Sequence, residues 1–329
     1  MGINFRKIRP VAGSAAISFL LITGCQSPPT AIGVSSAMVN KVVLPSYENL
    51  VAKSSSFNRS LTKLVNNPTA GNLKSAQKQW RQARKSWEIT ETWAYGPAET
   101  LDFDPNLDDW PVSKLELSSA LGANSKFTSN TFSRLDTTSK GFHGIEYVLF
   151  SKDNASNLSE NELAYLRIAG QDLEDNSIGL LNAWNGPKGF GVTGVEANPE
   201  AAIKDILAGM EGCLAEVADG KLGGAFDSSD EGELESVFSG NTGTDVVFNI
   251  SGVKKAWEDS QVKAYVTRSN SDLAEKLSNH IDKSLILAQS LPARLNDKLG
   301  DQSIQEKVTA LREVLTEAAE TTVAIAESI

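Results

Sequence analysis

The sequence predicts an all-α protein of two packed helical-bundle domains, and three observations carry that reading. Long segments repeat apolar residues at steps of three and four, the period of one helix face. Capping signatures open those segments and Gly-Pro pairs close them. No convincing strand pairs occur: the most strand-like run, Asp245-Val246-Val247-Phe248, belongs to a helical period through Val246, Ile250, Val253 and Trp257.

At the N-terminus Arg6, Lys7 and Arg9 precede an apolar stretch, Val11 to Ile22, that is too short to span a bilayer, so residues 1–24 read as an export signal. It closes on Ile22-Thr23-Gly24-Cys25, which resembles the lipobox of bacterial lipoproteins and implies acylation of Cys25. Gln26 in place of Asp implies, by analogy with enteric sorting, the outer membrane. Residues 25–36, with Pro28-Pro29 and small neighbours, read as a flexible tether.

The N-terminal bundle is expected over 37–185. Its first helix, 37–66, is kinked early at Pro45. The second follows the seam Leu73, Ala76, Trp80, Ala83, Trp87, Thr90 and Ala94 and stops at Gly96-Pro97. Helices at 113–122 and 139–150 precede a third seam, Leu163 through Leu173 to Trp184, which opens with Ser159 and Glu162 as a capping box. The Gly-rich stretch 186–198 lacks the Gly-Lys-Ser/Thr ending and the preceding strand of a phosphate loop, and is taken as the inter-domain linker. The C-terminal bundle, 199–329, comprises helices at 199–218, 244–258 and 270–290. A last helix through Ile304, Val308, Leu311 and Leu315 opens with Ser303 and Glu306 in the capping arrangement. Gly220, Gly223 and Gly224 read as a helix exit and loop. Lys85 to Tyr95 and Lys255 to Tyr265 share five identities in eleven positions, which is compatible either with internal duplication or with chance likeness of two amphipathic helices; Gln261 stands where the first copy has Glu91.

Loss of the signal would remove three of the 31 basic residues and none of the 41 acidic ones, leaving a net charge of about −13. Nucleic acid is thereby excluded as a partner. With Cys25 acylated, Cys213 is the single remaining thiol, so a disulfide framework is excluded too; its apolar neighbours make it a core residue.

The run Gly141-Phe142-His143-Gly144-Ile145-Glu146 holds one of only two histidines, with a carboxylate three residues on. On a helix these side chains share a face and can clamp one metal ion. The other histidine, His280, sits at a helix edge. Two acid-bearing segments could complete the set. Glu88 and Glu91 edge the tryptophan seam beside Arg81 and Arg84, where the ordinary expectation is a solvated face with Arg84 paired to Glu88. Asp108 and Asp109 lie in the loop Leu107-Asp108-Asp109-Trp110-Pro111, where turn chemistry is the ordinary role.

Taken in order, Gln79-Trp80-Arg81, Trp87-Glu88-Ile89-Thr90-Glu91, Tyr95-Gly96-Pro97, Leu107 to Pro111 and Gly141 to Phe150 resemble the imelysin family over nearly all of the mature chain. The resemblance implies an all-helical periplasmic or outer-membrane lipoprotein and a metal-binding pair at His143 and Glu146. A related iron-uptake domain implies Glu91 and Asp108 as completing ligands, with Glu88 and Asp109 as alternatives, and no site in the second half. The family was named for metallopeptidases. Zinc peptidases, however, commonly use two histidines and a carboxylate, and here Tyr147 follows Glu146 where an inverted motif would need histidine. One nitrogen with two or three carboxylates suits iron, manganese or calcium better. A di-iron oxidase would need Glu-x-x-His on two helices, the reverse order. The leading expectation is therefore a lipid-anchored periplasmic protein that binds one metal ion or metal complex, iron favoured, for acquisition or sensing, with an outer-membrane transport protein as partner. A metallopeptidase using the same metal is the alternative, and a helical scaffold for an outer-membrane partner the second alternative.

Overall fold

The computed structural model describes residues 29–329; the export signal and Cys25 lie outside the described residues. Every regular element among them is helical. The helices that frame the site are α1 (Ala31–Ala37), α2 (Leu44–Asn66), α3 (Ala70–Glu88), α4 (Phe103–Asp108), α5 (Gly141–Phe150), α6 (Glu160–Trp184), α7 (Pro199–Ala215), α8 (Thr242–Asp259), α9 (Ser271–Gln289) and α10 (Gln302–Ser328). None is long and apolar enough to cross a membrane.

In the first half α2 packs between α3 and α6, and α5 lies across α3 and α6. The tryptophan seam is the reason: Leu73, Ala76, Trp80, Ala83 and Trp87 are all buried, and the Trp80 indole N–H donates to the Phe142 carbonyl at 3.1 Å, fastening α5 to α3. In the second half α10 packs on α7 and α9, and α8 on α7 and α9. The halves meet where α7 and α8 press on the end of α3 and the turn after it. Gly252 of α8 makes this closeness possible: a β-carbon there would lie 2.3 Å from the Ile89 carbonyl oxygen.

Several boundaries differ from the sequence reading. The first helix begins at Ala31, within the expected tether, because the Thr30 hydroxyl caps the Gly33 N–H and α1 packs on α7. Pro45 produces no break: a π-helical stretch, Met38–Val43, leads into α2 with Pro45 in its first turn. Ser159 and Glu162 form the capping box reciprocally, whereas α10 is capped by Asp301, which accepts from the N–H groups of Ser303 and Ile304. The glycines at 220, 223 and 224 do not release the chain. A π-helical segment, Glu216–Gly223, extends α7 and runs into a further helical turn, Gly224–Ser228. The linker is packed too: the Phe190 ring lies 5.0 Å from Trp184 and Gly191–Glu196 is π-helical.

Candidate metal centre

The motif helix α5 starts abruptly because Gly141 has φ +54°, and a β-carbon there would lie 2.2 Å from the Leu107 carbonyl oxygen. That contact sets the end of α4, and with it Asp108, against the first turn of α5. The Tyr165 hydroxyl of α6 donates to the Ser139 carbonyl at 2.9 Å and fixes the approach from behind. His143 is consequently 1% exposed, with Nε2 3.1 Å from Asp108 Oδ1 and 3.8 Å from Glu235 Oε1. Nε2 makes no well-aligned hydrogen bond there. On the other side of the ring, Nδ1 lies 3.3 Å from Glu146 Oε2, and Glu146 is itself held by the Ser239 N–H at 2.7 Å. The histidine and glutamate of the motif are therefore not two arms on one point: Glu146 faces the back of the ring and Nε2 faces the acids.

α3 ends at Glu88, not near Ala94, so Glu91 leaves the helical register and occupies a tight turn, Glu91–Trp93. The backbone there is clamped under α8 at Gly252 and under α7 at Gly209, and the helix has no room to continue. Arg84 does pair with Glu88, but both are fully buried instead of lying on a solvated face. Arg84 also pairs with Asp108 and, at 2.9 Å, with Glu235 Oε1. Asp108 closes α4 instead of standing in a loop, and its Oδ2 accepts from the Trp87 indole N–H at 2.6 Å. Asp109 turns away and accepts from the Thr137 hydroxyl.

Sequence reasoning placed no site in the second half, yet four residues from it enter the cluster. Glu235 lies in the turn before α8, and Lys221 rides on the π-helical segment after α7. Lys221 Nζ lies 2.7 Å from Glu91, 3.3 Å from Glu88 and 3.0 Å from Glu235. Asn249 Nδ2 of α8 donates to Glu91 at 2.6 Å and Glu88 at 2.8 Å. Asp245 is satisfied by Ser236 and Asn241, both at 2.5 Å. No periodic or motif signal marks these residues. Glu235 is one of several acids in Asp230-Glu231-Gly232-Glu233-Leu234-Glu235, and only its burial beside Leu234 distinguishes it.

Two overlapping ligand sets result: Asp108, His143 and Glu235 form one, and Glu88, Glu91, Asp108 and Glu235 the other, each with its donor atoms within 4.8 Å of one another. Five carboxylates (Glu88, Glu91, Asp108, Glu235, Asp245) share two buried permanent cations, Arg84 and Lys221. Electrostatics follow from that imbalance. Burial pushes Glu88 up to about 8, against the pull of Arg84, and Glu91 up to about 7, against Lys221. Burial also holds Asp245 well above the usual range, reinforced by Glu88. Glu235 goes the other way: burial would raise it, but Lys221 and Arg84 outweigh burial and keep it ionised. Burial and Arg84 would lower His143, but its contacts with Glu146 and Glu235 raise it. Cys213 is buried and pushed upward by burial, an inert core thiol.

A cleft of about 660 Å³ opens on Glu91, Asp108 and Glu235, with Glu99, Asp104 and Glu216 along its walls and no lysine or arginine in its lining. A smaller cavity of about 220 Å³ reaches His143 and Glu235 from the far side of Trp110. A cation can thus approach from solvent along acidic walls. An orphaned, buried imidazole nitrogen beside two carboxylates, its other nitrogen oriented by a third, fits a metal ion.

Residues 43–322 match the Imelysin (peptidase M75) family model. Over 231 residues the chain is 32% identical to iron-regulated protein A of Synechococcus elongatus, an alignment covering 67% of this chain and 61% of that relative's length. A crystal structure of an iron-regulated protein A precursor from Parabacteroides distasonis superposes with a TM-score of 0.81 at 21% identity, covering 92% of this chain and 97% of that one. An imelysin-like protein from Psychrobacter arcticum gives 0.72 at 17% identity, covering 90% and 95%. At such identities the two crystal structures speak to the fold alone, and it is the family match over residues 43–322, with the 32% identical relative, that shows the chain to belong to the imelysin family.

Proposed function

We propose that this protein binds one metal ion, with iron as its cargo, and acts in iron acquisition or sensing from a lipid anchor at Cys25 on the periplasmic face of the outer membrane. The observation that carries the proposal is the unpartnered Nε2 of His143, buried between Asp108 and Glu235 while Glu146 orients the ring from behind. His143, Asp108 and Glu235 would hold the ion, and Glu146 would fix the tautomer that leaves Nε2 free to bind. One imidazole with carboxylate oxygens favours iron or manganese over the nitrogen- and sulfur-rich sites typical of zinc. The name of the Synechococcus elongatus relative, iron-regulated protein A, supports iron. The cleft leaves room for a complexed ion, and an outer-membrane transport protein is the partner that the anchor and the cargo imply.

Metal analysis of untagged protein, followed by titration of wild type and His143→Ala, tests this reading. One equivalent of iron in the wild type and none in the variant, with helical content unchanged, is expected; stoichiometric iron in His143→Ala would sink the assignment.

The cleft also favours a second reading, a metallopeptidase of the kind for which the family was named. A bound metal would supply an activated water, and Glu91 at the cleft floor would take its proton. Chelator-sensitive cleavage of a peptide library, lost in Glu91→Gln, would support that reading; failure to cleave any peptide would dismiss it.

A further inference from the structure

The two ligand sets share Asp108 and Glu235, and two cations held one by each set would be bridged by those carboxylates, the donor arrangement of a dinuclear centre. Only one of the two positions is open. The position among Glu88, Glu91 and Glu235 already holds a cation, the ammonium of Lys221, at 3.3, 2.7 and 3.0 Å from the three acids. Resting on the metal-binding reading above, we propose that Lys221 is a tethered counter-cation that fills the second metal position, limits the centre to one ion, and thereby makes it a reversible cargo site instead of a dinuclear one.

Three features support this. Lys221 is 2% exposed and rides on a π-helical segment, Glu216–Gly223, that inserts it between the halves from α7. An ammonium tolerates that degree of burial only where acids surround it, and removing it would leave Glu88, Glu91 and Glu235 facing one another. The fit is also incomplete in a telling way. Lys221 donates to Glu88 and Glu91 but makes no aligned hydrogen bond to Glu235 Oε2, an oxygen of a 5%-exposed residue aimed into the same space. A spherical divalent ion has no such directional limit and would engage all three. Asn249, which donates to both Glu88 and Glu91, would keep those acids in place when the ammonium is absent.

The test uses the full chain, solubilised and stripped of metal, with Mn²⁺ as the probe. Equilibrium dialysis gives stoichiometry, and electron paramagnetic resonance distinguishes isolated from exchange-coupled ions. Wild type and Lys221→Arg are expected to bind one Mn²⁺ with an uncoupled spectrum. Lys221→Ala should bind two with a coupled spectrum, and adding Glu91→Gln to it should return the count to one. One ion in wild type and one in folded Lys221→Ala overturns the proposal while leaving the metal-binding reading intact; no ion in either overturns both. If Lys221→Ala does not fold, Lys221→Gln decides, because its amide can still donate to Glu88 and Glu91 but carries no charge: two Mn²⁺ with a coupled spectrum would support the proposal, and one Mn²⁺ with an uncoupled spectrum would overturn it.

Discussion

Nε2 of His143 stands 3.1 Å from Oδ1 of Asp108 because Gly141 admits the Leu107 carbonyl where any side chain would block it. The first glycine of the motif therefore serves the second ligand, on another helix, as much as the histidine beside it.

Replacing Gly141 should accordingly separate the two ligands. Gly141→Ala introduces a β-carbon that must displace the Leu107 backbone and adopt φ +54°. Destabilisation of more than about 1 kcal/mol by urea unfolding is expected, along with metal affinity reduced at least tenfold. Full affinity in this variant would refute the coupling.

Glu146 touches the back of the imidazole and not the acid cluster, so Glu146→Gln should retain one ion per chain but weaken it roughly 10–100-fold. Abolished stoichiometry, measured by calorimetric titration, would instead make Glu146 a direct ligand.

Arg84 holds Glu88, Asp108 and Glu235 together with no solvent to replace it. Arg84→Met should cost about 3–5 kcal/mol at neutral pH, because three buried acids lose their common counter-charge. Arg84→Lys should not rescue it fully, since a point charge cannot fork between several carboxylates. Denaturant unfolding of both variants checks this, and a cost below about 1 kcal/mol would show that the cation is dispensable.

Stability of the metal-free protein should fall as pH rises from about 4.5 to about 8. Glu88 and Glu91 have folded values raised to about 8 and about 7, so the folded state binds more protons than the unfolded state across that window. Each group contributes a slope of up to about 1.4 kcal/mol per pH unit while it titrates. His143, also raised, acts in the same direction, its contribution lost as pH passes its folded value; Glu235, lowered, acts oppositely and only at acid pH. Thermal unfolding at pH 5, 6, 7 and 8 measures the trend, and a melting temperature that increases steadily to pH 8 would contradict it.

Much of this was legible in the chain before folding. The seam through Trp80 and Trp87, the capping box at Ser159 and the pairing of His143 with Glu146 on one turn follow from local periodicity and hydrogen-bond geometry. The register of Glu91 was not, because the end of α3 is imposed by helices more than a hundred residues away in sequence. Nor could local pattern show that the Arg84–Glu88 pair, an ordinary surface motif by its spacing, would be sealed from water.

The all-helical imelysin chain, its buried seams and the His143–Glu146 step are written in local pattern, since each depends on residues within a few positions of one another. That Glu146 lies behind the ring while Asp108 and Glu235 face Nε2, and that Lys221 and Asn249 enter from the second half, comes from the packing of distant helices. A buried charge must find its counter-charge wherever packing places one, and that pairing leaves no periodic trace in either segment.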